Sequence, residues 1–517
     1  MYIDFFYCDK FSTFASQTAQ YRQKKMLSEE YYRRLCSAFG YLPTSEQEHA
    51  IGICSSFLSD KSSNTAMILR GCAGTGKTLI ASALVHMLDS LGAPTVLLAP
   101  TGRAAKVFSQ YSGKSAHTIH RYIYRQSKPS VEMTGFELGY NRQRRCLFIV
   151  DEASMLSNDY GGEQFGSGRL LDDLVRFVYS GPGCHLMLIG DHAQLPPIGE
   201  LVSQALQADT LEGYRLTVYE ATLTTVMRQS QLSGILWNAS AIRQLIGRDA
   251  STLMPKVKFQ GFADITAVSA DDFMEALGES LRRVGNDEMI VITRSNHRAG
   301  LLNKGIRRYV FDREDELEGG DMVMTVRNNY YWLQPDGEEH DEGEPTQEND
   351  AELRPDFIAN GDRAVVKRIR RERELYGFRF ADATLLLPDY ADMEVEVTLI
   401  LDTLHATTPS LDTESTNRLY QAVSEDYMHL PTKQERIKAI RQNPYFNALQ
   451  VKYAYAVTCH KAQGGQWAHV YVDQGVPPQE ESNEEYLHWL YTAFTRAREH
   501  LYLINWPEEM TLNEDKE

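Results

Sequence analysis

One octapeptide constrains this chain more than any other stretch. Gly71-Cys72-Ala73-Gly74-Thr75-Gly76-Lys77-Thr78 fits G-x-x-x-x-G-K-[ST] at every fixed position. Ahead of it, Thr65-Ala66-Met67-Ile68-Leu69-Arg70 reads as a short buried strand; behind it, residues 79–85 read as a helix. Glycines at 71, 74 and 76 let the backbone turn tightly and aim successive N–H groups inward, which makes a concave anion site capped by a helix N-terminus. Lys77 adds a mobile cation for the β- and γ-phosphates of a nucleotide, and Thr78 offers a hydroxyl to Mg²⁺. The competing reading is a glycine-rich turn that binds nothing. The flanking strand and helix, with a carboxylate pair downstream, weigh against it.

That pair is Asp151-Glu152, which closes the apolar run Cys146-Leu147-Phe148-Ile149-Val150. At the C-terminal end of a strand, and beside the glycine-rich loop if the two strands are neighbours, such a pair divides the labour. Asp151 holds Mg²⁺ directly or through water, and Glu152 orients and deprotonates an attacking water. Two surface acids at a helix start are the plainer alternative. Gly190-Asp191-His192-Ala193-Gln194-Leu195-Pro196-Pro197 follows a further strand. Gln194 can both donate and accept, which suits a sensor of the γ-phosphate or its water.

At 517 residues the chain exceeds a single core, and three or four modules are expected. Short apolar strands alternate with helix-like segments from residue 65, and a second series begins near Met289 and resumes at Val451-Lys452-Tyr453-Ala454-Tyr455-Ala456. Continuous apolar strands mean burial on both faces, so two α/β sheets follow, each doubly wound. The expected organisation is an N-terminal helical appendage over 1–40, a first core domain over 41–230, a second over 231–505 and a tail over 506–517. A small insertion with a hairpin is expected at 121–145, and a small β-barrel, from its alternating pattern, at 362–450. No signal-peptide pattern or apolar run of spanning length is visible, so a cytoplasmic location is the expectation. Seven cysteines without C-x-x-C spacing argue against a disulfide framework. His117 with His120, and Cys459 with His460, lack the second pair that a metal centre would need.

The net charge of −17 does not by itself suggest a nucleic-acid partner. It is unevenly spread, however. Asp336 to Glu352 carries many carboxylates and no lysine or arginine, whereas six of the eleven residues from Arg363 to Arg373 are arginine or lysine. An acidic protein can present a basic channel.

Taken in order, Gln47, Gly71 to Thr78, Ala99-Pro100-Thr101-Gly102-Arg103-Ala104-Ala105, Asp151-Glu152-Ala153-Ser154-Met155 and Gly190 to Pro197 resemble the motifs of superfamily 1 helicases, specifically the RecD, Dda and Pif group, subfamily 1B. The resemblance continues through Met227-Arg228-Gln229, Asn360-Gly361-Asp362, Tyr455 to Gly464 and Tyr491 to Ala497, and spans about residues 43 to 505. It implies two RecA-like cores with a pin-like insertion in the first and an SH3-like barrel in the second, with ATP and Mg²⁺ as ligands. Gln47 would read the adenine edge, and Arg228 and Arg496 would reach the γ-phosphate. Single-stranded DNA would lie against Pro100, Thr101 and Arg103, against His117, Thr118 and His120, and against His460, Lys461 and Gln463. The implied activity is ATP-driven 5′ to 3′ movement on single-stranded DNA with opening of duplex at single-strand/duplex junctions. Two other classes fit the motifs: a DNA-stimulated translocase that remodels protein–DNA complexes, and a nucleotide switch with no nucleic-acid partner. RNA is an open alternative to DNA, and residues 1–40 are either packed on the first core or an arm for a protein partner.

Overall fold

The structure, a computed structural model, describes residues 23–126, 136–159, 166–226, 232–247, 254–333, 357–390, 392–406, 408, 410–475 and 483–512. They form two compact units. The first takes the described residues of Met1–Pro100, Ala104–Ser127 and Gly135–Gln231; the second takes those of Thr101–Arg103 and Leu232–Glu517.

The first unit is built on a six-stranded sheet of β1 (Thr65–Gly71), β2 (Thr95–Ala99), β3 (Ala116–Thr118), β6 (Leu147–Val150), β7 (His185–Gly190) and β8 (Thr217–Leu223), with β4 (Tyr124–Gln126) and β5 (Phe136–Leu138) pairing separately as a hairpin. The order across the sheet is β3-β2-β6-β7-β1-β8, and every pair is parallel. Side chains alternate between faces along a strand, and here both faces are apolar. Ile68, Leu98, Phe148, Val150, Leu186 and Leu188 enter one core, while Met67, Leu69, Leu97, Ile149, Met187 and Ile189 enter the other. Helical residues 23–39 close the second of these with Leu35 and Phe39. The hairpin expected within 121–145 is present as β4 and β5; its connecting residues lie outside the described set.

The second unit combines a parallel sheet with a closed barrel. The sheet runs β16 (Ala456–Thr458), β10 (Met289–Thr293), β17 (Trp467–Asp473), β18 (Ala497–Ile504), β9 (Ile265–Val268). The barrel is closed by β11 (Met322–Thr325), β12 (Arg363–Leu375), β13 (Phe378–Leu387), β14 (Met393–Ile400) and β15 (Leu449–Tyr453). The α/β class with two parallel sheets and a β-barrel is therefore present as expected, but the barrel reaches beyond 362–450, taking β11 before it and β15 to Tyr453. Two further details differ. The run Val451 to Ala456, read as one strand of the sheet, divides: Leu449–Tyr453 closes the barrel, and Ala456–Thr458 joins the sheet. Asn303 holds the crossing, donating to the carbonyls of Tyr453 and Ala456 and accepting from the amides of Tyr455 and Ala456. Between β14 and β15, after the short helix Asp402–His405, two longer helices, Thr413–Asp426 and Lys433–Arg441, stand where only β structure was read. Leu419, Val423 and Ile440 pack them on Phe378, Phe380 and Ile400 of the barrel. Their caps, Asp412 and the Thr432/Glu435 capping box, were visible in the sequence; the apolar alternation of the neighbouring strands masked them.

A buried ion cluster anchors β11. Asp321 has no solvent exposure and accepts from Arg307 through both carboxylate oxygens at 2.9 Å, from Arg313 at 2.6 Å and from the Tyr455 hydroxyl at 2.9 Å. Replacing Asp321 by Ala strands the buried Arg307 guanidinium, which should cost about 3–5 kcal/mol. Chemical denaturation checks this, and a loss under about 1 kcal/mol would show that the cluster contributes little.

Candidate nucleotide site and strand-contact residues

The loop after β1 is shaped by glycines that cannot be replaced freely. Gly74 and Gly76 take φ of 75° and 90°, in the left-handed region. A Cβ on Gly71 would lie 2.8 Å from Thr75 Oγ1 and 3.1 Å from Leu223 Cβ. Within the loop the Thr75 hydroxyl donates to the Cys72 carbonyl at 2.8 Å, and Cys72 N–H donates to Leu223 O at 3.3 Å. Ala73 is half-buried and Gly74 exposed, so the loop's crest is open. Lys77 and Thr78 begin the helix Lys77–Ser90, and the Lys77 ammonium folds back onto the carbonyls of Gly71 at 2.6 Å and Cys72 at 2.9 Å.

Gln47 is buried against this loop. Its Nε2 donates to Thr75 O at 2.9 Å, and its Oε1 accepts from Thr44 N–H at 3.0 Å as the closing half of the capping box of helix Ser45–Ser59. The side chain expected to face a base is thus also a brace between helix and loop. Sequence reading missed the adjacent Glu46. Its carboxylate accepts from the amides of Thr224 and Thr225 at 2.6 and 2.7 Å and pins the segment after β8. No spacing signal connects positions 178 and 179 residues apart.

The carboxylate pair sits at the C-terminal end of β6. That strand is not adjacent to β1, because β7 lies between them. The two sites are nonetheless electrostatically connected: Lys77 lowers the proton affinity of Asp151. Dense packing around the Asp151 carboxyl, and then the charge of Glu152, outweigh this and push its pKa up to about 7. A carboxylate whose pKa is raised by burial and a like charge is one that a cation would stabilise in its ionised form; among the described residues no cluster of three or more His, Cys, Asp or Glu provides a cage independent of a ligand. Glu152 occupies the left-handed region at φ 52°, a conformation costly for a side chain with Cβ and retained where the surroundings impose it. Its amide donates to Asp151 Oδ1 at 2.9 Å. Gln194 is buried beyond β7, its backbone N–H donating to Asp191 O at 3.2 Å. Loop, carboxylates and glutamine therefore gather along the C-terminal edge of one parallel sheet, where ligands of open α/β sheets bind.

Pro100 and Thr101 follow β2, and Arg103 opens the helix Gly102–Ser112. His117 lies on β3 and stacks on Tyr122 at 5.9 Å, while Thr118 caps the helix Ile119–Ile123. Burial lowers the pKa of His117 and takes that of His120 down to about 4. In the second unit His460 and Lys461 lie in the helix Cys459–Ala462, with Gln463 at its end. Burial lowers the pKa of both His460 and Lys461. The three histidines are therefore neutral at physiological pH and act as hydrogen-bonding groups. Arg496 is buried in the second unit, donating to Thr492 O at 3.0 Å, Gly465 O at 3.3 Å and Thr495 Oγ1 at 3.3 Å. Arg228 lies outside the described residues. Among the described residues no helix is long and apolar enough to cross a membrane.

Residues 57–253 match a family model described as AAA domain, and residues 453–504 match one described as UvrD-like helicase C-terminal domain. The ATP-dependent RecD2 DNA helicase of Deinococcus radiodurans is 26% identical over 291 residues, covering 53% of this chain and 36% of the relative. The ATP-dependent DNA helicase dda of Enterobacteria phage T4 is 26% identical over 303 residues, covering 57% and 63%. The chain thus spans less than two thirds of the length of these curated relatives. A solved Pif1 helicase from Candida albicans is similar over 92% of this chain and 97% of that one, at 15% identity and a TM-score of 0.43. The resemblance of the motifs to superfamily 1 helicases of the RecD and Dda type is borne out by the relatives matched in sequence.

Gly76→Ala places a Cβ 2.6 Å from Gln47 Nε2 at a φ that alanine resists. It should cost on the order of 1–3 kcal/mol and unseat Gln47 from the loop. Thermal unfolding checks the first effect; an unchanged midpoint would show that glutamine and loop yield without cost.

Proposed function

We propose that this chain is an ATP-dependent DNA helicase that moves 5′ to 3′ on single-stranded DNA and opens duplex at junctions. One observation carries the reading: a phosphate cradle, a carboxylate pair and a buried glutamine stand on one sheet edge, with Lys77 acting electrostatically on Asp151. That is the equipment for hydrolysing a nucleoside triphosphate. Direction and DNA specificity rest on the resemblance to RecD- and Dda-type helicases.

In this reading the Lys77 ammonium exchanges two neutral carbonyls for phosphate oxygens, because a charge-assisted hydrogen bond is the stronger one. Amides of the Gly71 to Thr78 loop line the anion, and Gln47 meets the base. Thr78 and Asp151 would hold a Mg²⁺, which would supply positive charge to the bound nucleotide. Glu152 orients the attacking water and takes its proton, and Gln194 reads whether the γ-phosphate is present. Arg228 and Arg496 are the arginines proposed for the transition-state charge, by resemblance. Pro100, Thr101, Arg103, His117, Thr118, His120, His460, Lys461 and Gln463 are proposed to position the strand without reading bases.

Lys77→Ala should reduce DNA-stimulated ATP hydrolysis to background, measured by phosphate release. Robust turnover by that variant would remove the site from the mechanism. With wild-type protein, a duplex carrying a 5′ tail should be unwound and one carrying only a 3′ tail should not. Preference for the 3′ tail would overturn the direction, and ATP hydrolysis with no unwinding of either would favour a translocase.

A further inference from the structure

Three neutral histidines among the proposed strand contacts leave a gap, since holding a polyanion requires cations. A cavity of about 190 Å³ in the second unit offers three lysines. It lies between barrel and sheet and is lined by His297 and Lys304 of the helix Asn296–Tyr309, His405 of the helix Asp402–His405, Lys452 of β15 and Lys461. None of its lining residues is an aspartate or glutamate, in a chain whose net charge is −17.

The lysines are poorly compensated among the described residues. Among the described residues Lys452 Nζ donates only to backbone carbonyls, of Ala406 at 2.7 Å and of Thr408. Lys461 and Lys304 make no ion pair among the described residues; the neighbouring His405, whose pKa burial lowers, lies 3.1 Å from Glu316. Burial, and then the charge of Lys461, lower the Lys452 pKa to about 8. Two ammonium groups so placed repel each other until an anion sits between them. The volume falls below the roughly 300 Å³ at which whole small-molecule sites begin, so it suits a single oxyanion rather than a nucleotide. Lysine, a compact point charge, is a common phosphate ligand.

We propose that this pocket takes one backbone phosphate of the bound single strand, held by Lys452 and Lys461 with Lys304 beside them. The inference rests on the nucleic-acid reading above and extends it to Lys452 and Lys304, which belong to none of the helicase-like motifs. It also makes the barrel a direct part of the grip, through β15.

The test measures binding of a fluorescein-labelled oligothymidine across salt concentrations. Lys452→Gln should weaken binding and flatten the log affinity against log salt slope by about 0.7, the value for one single-strand phosphate contact. Lys304→Gln, at an exposed position, should act in the same direction without disturbing the fold, and Lys452→Arg should restore both quantities. Raising the pH from 7 to 9 removes the Lys452 proton, so wild-type affinity should fall more steeply than that of Lys452→Arg; the other titratable groups facing Lys452, namely Lys461, Lys304, His297 and His405, are shared by both proteins. Unchanged affinity and slope in Lys452→Gln and Lys304→Gln, with weaker binding in Lys461→Gln, would overturn the pocket and leave the proposed function standing. Failure of the wild-type protein to bind the oligonucleotide would overturn the proposed function itself. If inorganic phosphate raises the melting temperature of wild type but not of Lys452→Gln, while Lys452→Gln keeps full oligonucleotide affinity, the pocket takes free phosphate and the strand assignment is overturned.

Discussion

Burying a parallel sheet on both faces leaves the strand ends as the only places where polar chemistry can gather. In the first unit, alternate residues of β1, β2, β6 and β7 feed two separate apolar cores, so neither face can hold a charged ligand without opening a core. The loop after β1, the carboxylates after β6 and the glutamine after β7 are consequences of that exclusion. They share an edge because every strand of the sheet points the same way.

That edge carries local tension. Glu152 is held in a left-handed conformation, Asp151 is pushed toward protonation by packing and a like charge, and Lys77 is turned onto its own loop. The left-handed Glu152 and the raised Asp151 pKa are costly alone, and in the proposed reading a phosphate with its cation would relieve the charge on Asp151. Gln47 adds a mechanical element. It ties the first turn of one helix to the loop at the head of another, so any movement of the loop is felt at the Thr44 cap.

The second unit meets a different demand, joining a barrel to a sheet along a continuous chain. The crossing at Ala454 and Tyr455 is held by the Asn303 amide, which satisfies four backbone groups, and by Asp321, which gathers two arginines and a tyrosine hydroxyl. Buried polar groups at such a junction are fully paired or they weaken it. The lysines of the nearby cavity, without an ion pair among the described residues, contrast with Arg307 and Arg313, which Asp321 matches.

The glycine-rich loop, the carboxylate pair, the two parallel sheets and the presence of a barrel were legible in the sequence, because each depends on residues close together in the chain or on a short repeating pattern. Glycine spacing, strand alternation and a carboxylate after an apolar run are local signals, and local physics determines what they form. Helices Thr413–Asp426 and Lys433–Arg441 were legible only through their caps, since their apolar residues answer to barrel side chains supplied by β13 and β14. The insertion of β7 between β1 and β6, the division of the 451–456 run, the brace from Gln47 and the pin from Glu46 were decided by tertiary structure alone. So was the convergence of Lys304, Lys452 and Lys461 on one cavity. Strand order, hydrogen bonds across more than a hundred residues and the dielectric around a charge depend on which segments become neighbours, a property that no single stretch of chain possesses.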